Sequence, residues 1–238
     1  MIAASIRKAS SYLATTARDF EIVVGDDGST DGTDRIVAEE AARDSRVRIV
    51  RCELHRGKGA ILTQALLEGR GRILAFIDAD LEIDVAYLGA LLAAIDAGAD
   101  VAIGSKVLHP DWPRRPLRRR AATRLYNALV RLLFRSRLGD HQAGLKAFRA
   151  EAVRNLLASI ENPRWTWDTE LLVCAQAAGL RIAEIPVTTT FQRPSKVSLL
   201  RQPLEMASEL FLLAVSRRGG RAPRGNGSSG RDASRARH

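Results

Sequence analysis

Ile73-Leu74-Ala75-Phe76-Ile77-Asp78-Ala79-Asp80 is an apolar run that ends in two carboxylates separated by one alanine. Bounded by Gly71-Arg72 and by further acids, such a run reads as a buried parallel strand. Ligands of open α/β sheets bind beyond the carboxyl ends of the strands, where Asp78 and Asp80 then sit. Two acids on a chain bending out of a strand suit a hard cation, Mg²⁺ or Mn²⁺, shared with a diphosphate. An ordinary strand end with helix-capping acids has the same pattern, so the neighbouring stretches must decide.

Working outward, the pattern alternates. Ile2 to Leu13 is an amphipathic helix and Phe20 to Gly25 a strand. Asp26-Asp27-Gly28-Ser29-Thr30-Asp31-Gly32-Thr33 is a strand end, a turn and a helix start, with Ser29, Thr30 or Asp31 as cap and the helix running to about Ala42. Val47 to Arg51 is a strand, His55 to Gly59 a basic turn, and Ala60 to Leu67 a helix. Beyond the central run come a helix over Asp84 to Ala97, a strand over Asp100 to Ile103 and a basic helix over Leu117 to Phe134. A strand over Gly144 to Phe148, a helix over Glu151 to Leu157 and a helix from Trp165 to Gly179 follow. Arg181 to Phe191 alternates like a strand, with Pro186 marking an edge. This is an α/β chain with a mostly parallel sheet and helices on both faces. Leu199 to Val215 adds a C-terminal amphipathic helix, and the Gly/Ser/Arg composition from Arg217 onward predicts a disordered basic tail.

The formal net charge of the 238 residues is +10, and the excess is localised. Residues 217–238 carry seven arginines and one acid, and Trp112 to Gly139 carries nine arginines and no acid. The remainder is net acidic, so the basic segments are the candidates for contact with phosphates, anionic lipid or nucleic acid. The arginine runs lack the interleaved aromatics that stack on bases, which argues against nucleic acid. Cys52 and Cys174 have no metal-type spacing and read as reduced, buried thiols of a cytosolic protein. No stretch reads as a signal peptide, and no apolar run reaches membrane-spanning length.

Several stretches then agree in order and spacing. They are Asp26 to Thr33, Arg56-Gly57-Lys58-Gly59, Asp78-Ala79-Asp80, Gly104-Ser105-Lys106, Asp140-His141-Gln142-Ala143-Gly144-Leu145-Lys146-Ala147-Phe148 and Trp167-Asp168-Thr169-Glu170. The set resembles glycosyltransferase family 2, and within it the dolichyl-phosphate (polyprenyl-phosphate) glucosyl- and mannosyltransferases. Ile185-Pro186-Val187 and Ser195-Lys196-Val197 look closest to the β-glucosyltransferase branch. The resemblance covers about residues 1–205 and implies a GT-A-like, Rossmann-like catalytic domain over 1–198, followed by the helix at 199–216 and the tail at 217–238. There is one departure: the family opens with an apolar strand and an Asn-Glu type turn, whereas Met1 falls where the following helix already runs. The domain is therefore expected to lack its first strand and to carry an uncovered strand edge.

The resemblance implies roles residue by residue. Asp27 contacts the nucleoside and Asp26 supports its turn; a plain helix cap is the bland alternative. Asp80 is the metal ligand, with Asp78 supporting metal or sugar. Lys58 meets a phosphate or merely caps a solvated turn. Lys106, Arg119, Arg120 and Thr123 match the acceptor-phosphate cluster, against a solvated helix face. Asp140 and Gln142 line the sugar site. Asp168 contacts sugar hydroxyls, or acts as a base if the acceptor is a neutral alcohol; a helix-terminal acid is the alternative. Lys196 closes over the diphosphate from a loop, or is a surface lysine. His55, His109 and His141 read as ordinary polar residues, and Trp165 as a core or interface anchor. The implied activity is transfer of glucose or mannose from UDP-glucose or GDP-mannose to polyprenyl phosphate, with inversion and a divalent metal. The implied place is peripheral, on the cytoplasmic face of a membrane. The alternatives are a family 2 enzyme with a non-lipid acceptor, such as a growing glycan or a small phosphorylated acid, and a non-catalytic remnant acting as a membrane-surface binding protein.

Overall fold

The computed structural model describes residues 1–16, 19–112, 116–158, 160, 162–164, 166–190 and 208–215. Its strands are β1 (Ile22–Asp26), β2 (Val47–Arg51), β3 (Ile73–Ile77), β4 (Val101–Ser105), β5 (Leu145–Arg149) and β6 (Ile182–Pro186). Its helices are α1 (Ile2–Thr16), α2 (Thr33–Arg43), α3 (Lys58–Glu68), α4 (Tyr87–Asp96), α5 (Leu117–Phe134), α6 (Ala150–Leu157) and α7 (Trp167–Ala177), with a further helix, α8, over 208–215.

The strands form two sheets. β1 and β2 pair in parallel, Ile22 opposite Val47 through Asp26 opposite Arg51. The second sheet has the order β3-β5-β4-β6. β5 is antiparallel to both β3 and β4, and β4 is parallel to β6. The reading of Ile73–Ile77 as a parallel strand is thus corrected: its partner β5 runs the other way. An apolar run reports burial, not a neighbour's direction, and here even burial is incomplete. Ala75 is exposed, and β3 pairs along one edge only among the described residues. Among the described residues Pro186 lies on an edge strand, where a missing N–H costs no ladder bond.

Side-chain alternation sorts the helices into two layers. On one face, Ile22 and Val24 pack with Ile6 of α1 and Val37 of α2. On that face too, Ile73, Ile77, Leu145 and Ala147 pack with Tyr12 and Leu13 of α1 and with Leu88, Leu91 and Ile95 of α4. On the other, Val23 and Val50 meet Ile61 and Ala65 of α3. Leu74, Phe76 and Phe148 meet Leu66 of α3, Val153 of α6, and Trp167 and Leu171 of α7. Helices α1 and α3 therefore lie across both sheets, one on each face. Polar ties reinforce α1: Arg7 donates twice to the buried Glu40 of α2 (2.9 and 2.6 Å), and Ser10 donates to Asp44 (2.6 Å). At the other sheet, Lys8 pairs with Asp84 (2.7 Å) and the Tyr12 hydroxyl donates to the Ala86 carbonyl (2.9 Å).

Local chemistry sets the boundaries. The cap of α2 is Gly32, with φ +82°, and not Ser29, Thr30 or Asp31 as expected; Asp31 stands one residue before it, where its carboxylate accepts the Thr33 N–H at 3.1 Å. The helix expected from Asp84 starts at Tyr87 instead. Asp84 spends its carboxylate on the Ala86 N–H (2.9 Å) and its carbonyl on the Tyr87 N–H (3.1 Å), which makes a turn ahead of α4. Cys52 and Cys174 are free and buried. Trp165, Lys196 with the rest of Ser195-Lys196-Val197, the first part of the helix expected over 199–216 and the tail from residue 217 lie outside the described residues.

Candidate active site

The carboxyl ends of β1, β3 and β4, the amino end of β5 and the N-termini of α3 and α7 meet at one edge. At β1, Asp26 is buried, accepts the Ser29 N–H at 3.1 Å and lies 3.3 Å from the Arg51 guanidinium. Asp27 accepts the backbone N–H groups of Arg56 and Gly57, each at 2.8 Å, and sits 2.8 Å from His55 Nδ1. These two acids build the turns. Asp27 in particular fixes the Arg56-Gly57 loop that delivers Lys58 to the start of α3. Gly57 is obligatory there: its φ is +105°, and a Cβ would collide with the Pro163 carbonyl oxygen.

At β3 the acids behave differently. Asp78 has a side chain 42% exposed, and its Oδ1 lies 2.8 Å from Lys58 Nζ. Gly144 is pressed against it, because a Cβ there would overlap the Asp78 carboxylate. The Asp78 N–H donates to the Gly144 carbonyl (2.9 Å), which locks the turn to β5. Asp80 is exposed and accepts only the Glu82 N–H, at 3.1 Å, among the bonds seen.

Behind them lies a buried charged cluster. Lys146 on β5 is wholly buried and stands opposite Phe76 of β3. Its ammonium donates to the Ala143 carbonyl (2.7 Å) and to Asp168 Oδ1 (2.6 Å), and faces the Phe76 ring at 5.2 Å. Asp168, in the first turn of α7, turns Oδ2 toward Lys58 Nζ at 3.8 Å. Burial lowers the Lys146 pKa below the ordinary lysine value, with Asp168 opposing. Burial also works against charge on Lys58, but Asp168, Asp78 and Asp80 outweigh it and hold its pKa above the ordinary value.

The third part surrounds Lys106. A pocket is lined by Asp78, Glu82, Ile83, Lys106, Gln142, Gly144 and Thr189. Lys106 pairs with the fully buried Asp140 at 3.1 Å, and Asp140 also accepts the backbone N–H groups of Lys106 (3.0 Å) and Gln142 (3.1 Å). Burial would raise the Asp140 pKa, yet Lys106 and these N–H groups hold the carboxyl below its usual range. Glu184 of β6 fixes the same turn by accepting the N–H groups of Gly139 and Asp140. His141 is buried between Asn127 Oδ1 (2.6 Å) and Ser136 Oγ (2.8 Å). Burial, aided by Lys146 and Arg131 against Asp140, pushes its imidazole down to about 4.

Asn127 stands on α5, so its bonds to His141 link this turn to that helix, while its Nδ2 donates one turn back to the Thr123 carbonyl (3.0 Å). Arg119, Arg120 and Thr123 stand half-buried on the first turns of that helix. Tyr126, one turn further, bonds Thr169 at 2.6 Å and so ties α5 to α7 beside Asp168.

The structure thus gathers Lys58, Asp78, Asp80, Lys106, Asp140, Gln142 and Asp168 at one edge. Asp26 and Asp27 join it through the Lys58 turn. Arg119, Arg120 and Thr123 sit on the helix tied to it. The sequence reading gave Lys146 no role and missed Glu82, Ile83 and Thr189 in the pocket wall. The signal for Lys146 was present: in Leu145-Lys146-Ala147-Phe148 it shares a strand face with Phe148 and must point into the core. His141, read as an ordinary polar residue, is a buried strut of the Asp140 turn. Among the described residues no group of three or more His, Cys, Asp and Glu forms a metal cage. The Asp78–Asp80 pair fits the other kind of site, in which one or two carboxylates and substrate phosphates share the ion.

Known proteins align with this chain over most of its length. Over 208 residues it is 39% identical to glycosyltransferase AglD of Haloferax volcanii, covering 87% of this chain and 33% of that protein. It is 30% identical over 211 residues to dolichyl-phosphate beta-glucosyltransferase ALG5C of Trichomonas vaginalis, covering 84% of this chain and 61% of that one. The polyprenol monophosphomannose synthase of Mycolicibacterium smegmatis is 34% identical over 179 residues, covering 71% of this chain and 66% of the relative. The chain thus spans about a third of AglD and about three fifths of ALG5C. In structure it resembles glucosyl-3-phosphoglycerate synthase from Mycobacterium tuberculosis, solved with Mn²⁺, UDP and glucosyl-3-phosphoglycerate. The TM-score is 0.66 at 22% identity, over 92% of this chain and 75% of that one. Mannosyl-3-phosphoglycerate synthase from Rubrobacter xylanophilus gives 0.62 at 20% identity, over 95% and 73%. These likenesses bear out the GT-A-like α/β fold. The family model for Glycosyl transferase family 2 matches residues 1–157, and the chain belongs to that family.

Proposed function

We propose that this chain transfers a hexose, glucose or mannose, from a nucleotide sugar to a polyprenyl phosphate with inversion, at the cytoplasmic face of a membrane. The observation that carries the reading is the meeting of an exposed carboxylate turn, Asp78 and Asp80, with Lys58 and Lys106 at the edge from which α5 departs. Relatives named as dolichyl-phosphate glucosyltransferases and a polyprenol monophosphomannose synthase support the acceptor class.

The reaction asks the protein to bring two anions together. An acceptor phosphate is ionised at neutral pH, so its oxygen attacks the anomeric carbon without a general base. The bond from that carbon to the diphosphate oxygen breaks, and the nucleoside diphosphate departs with the electron pair. Catalysis is then positioning and charge stabilisation. Asp78 and Asp80 would hold Mg²⁺ or Mn²⁺, which neutralises the diphosphate when bound. Lys58 meets the same diphosphate, its turn fixed by Asp27 beside the nucleoside and by Asp26. Lys106, Arg119, Arg120 and Thr123 receive the acceptor phosphate; guanidinium forks suit phosphate oxygens. Asp140 and Gln142 shape the sugar site, and Asp168 accepts a sugar hydroxyl.

An apolar, basic surface supports the membrane partner. Leu125 and Leu132 of α5 are 64% and 76% exposed, and Phe211 and Leu212 of α8 are 62% and 67% exposed. The two helices are packed together, with Leu210 against Val130 and Val173. Exposed leucines among arginines on such a pair match a surface that lies on anionic lipid. No described helix is long and apolar enough to cross a membrane.

The test is radiolabelled sugar transfer to a short polyprenyl phosphate, with UDP-glucose and GDP-mannose offered separately alongside Mn²⁺ or Mg²⁺. Transfer from one donor, lost in Asp80→Ala, is the expected result and names the sugar. Transfer only to a soluble alcohol or phosphorylated acid would replace the acceptor. No transfer to any acceptor would sink the reading. In flotation with anionic vesicles, Leu125→Glu with Leu132→Glu is expected to leave the protein at the bottom of the gradient.

A further inference from the structure

Lys146 is the largest charged side chain in the core, and the mechanism above leaves it without a task. A fully buried ammonium is costly unless its donors are matched. Here they meet a carbonyl, a carboxylate and the Phe76 ring. Its backbone is held by two antiparallel neighbours, Phe76 on β3 and Ile103 on β4. The ammonium is therefore as fixed as the sheet, whereas Asp168 sits on the first turn of α7 with Oδ1 bound to Lys146 and Oδ2 directed to the Lys58 side. A carboxylate clamped at one oxygen by a rigid donor presents the other in a single direction. That direction is toward Lys58 Nζ, 3.8 Å away, on the side where Lys58 meets Asp78.

We infer that Lys146 is a positioning residue for the donor sugar: it sets the rotamer of Asp168 so that Oδ2 accepts a hydroxyl of the hexose, and it makes no direct contact with the nucleoside diphosphate. This rests on the glycosyl-transfer reading. It predicts a split that a merely structural lysine does not produce, because the sugar meets Asp168 directly whereas the diphosphate meets it only through Lys58.

The experiment is calorimetric titration of the full chain with UDP-glucose, UDP, GDP-mannose and GDP in the presence of Mn²⁺, in parallel with the transfer assay. Lys146→Met is expected to weaken the nucleotide sugar that the wild type uses by about tenfold to a hundredfold, the range for one charged hydrogen bond. The matching diphosphate is expected to change less than about twofold. Equal weakening of both ligands, or of neither, overturns the inference. Where Lys146→Met does not fold, Asp168→Asn is compared with Lys146→Met/Asp168→Asn, which leaves no buried charge unpaired. Equal affinity of the two for the nucleotide sugar supports the role, and a further tenfold loss in the double variant overturns it. Wild type that transfers sugar but binds nucleotide sugar no differently from Lys146→Met overturns the role of Lys146 alone. Wild type that neither binds nor transfers overturns the glycosyl-transfer reading, and the inference with it.

Discussion

The chain has two acidic strand ends, and they look alike in sequence but not in space. Asp26-Asp27 at the end of β1 is held in place: its carboxylates accept N–H groups from Ser29, Arg56 and Gly57 and pair with Arg51 and His55, with Asp26 Oδ2 left to the Arg51 charge alone. Asp78-Ala79-Asp80 after β3 is open: Asp78 is held by a lysine side chain and Asp80 by one backbone N–H. Backbone N–H groups are immobile partners, so the first pair is scaffold. An ammonium on a flexible stem can be exchanged for a ligand, and the exposed Asp80 gives only one oxygen to its N–H, so the second pair is free to work. The same signal, two acids beyond an apolar strand, thus divides into a frame and a working site according to what the acids find there.

The sharpest test of this division is Asp80. Asp80→Asn is expected to lower transfer by about a hundredfold or more, the scale for removing a group that stabilises developing charge. The thermal midpoint should hold within about 1 °C, because surface substitutions change stability little. A large fall in the midpoint with transfer retained would reverse the assignment. Gly144→Ala comes next. Its Cβ would overlap the Asp78 carboxylate and drive it from its present place. Since about 1 Å of misplacement can cost as much as a hundredfold, transfer should fall about tenfold or more with Asp78 itself intact.

Asp27→Ala probes the frame. It leaves the Arg56 and Gly57 N–H groups without their carboxylate, at a cost of about 1–3 kcal/mol, read as a lower urea midpoint. The effect on transfer should appear in KM for the nucleotide sugar before kcat, since Lys58 is displaced rather than removed. An unchanged urea midpoint would remove Asp27 from the frame.

Much of this was legible in the sequence. The strand and helix alternation, the span of α5 from Leu117 to Phe134 and the edge role of Pro186 follow from periodicity and proline chemistry. Strand direction did not, because Ile73–Ile77 is equally apolar beside a parallel or an antiparallel neighbour. The site was legible as a set of motifs but not as a division of labour. Nothing in Asp-Asp or Asp-Ala-Asp records which carboxylates are consumed by N–H groups far along the chain. Asp27 reaches Arg56, and Glu184 reaches Gly139, across gaps that only folding closes. Lys146 was hidden for a different reason. A lysine in a strand is read as solvent-facing unless the alternation with Phe148 is followed strictly.

The turn at Asp140–Gln142 lies between the two classes, and pH separates them. Asp140 is held in place like the frame, yet the same turn lines the Lys106 pocket. His141 reports on the turn's integrity because burial pushes its imidazole down to about 4 from the ordinary 6.5. Between those values the unfolded chain binds a proton that the folded chain refuses. Folding stability contributed by this group is therefore present above about pH 6.5 and declines as pH falls toward 4. Asp140, held below the usual carboxylate range, adds its own loss only at still lower pH, so the two windows do not overlap. Urea midpoints measured from pH 7.5 to 4.5 should decline with a slope approaching one proton, and His141→Gln should lie lower overall but without that contribution. If the wild type and His141→Gln decline in parallel, the imidazole is not sealed. The turn would then belong with the open, working strand end rather than with the frame.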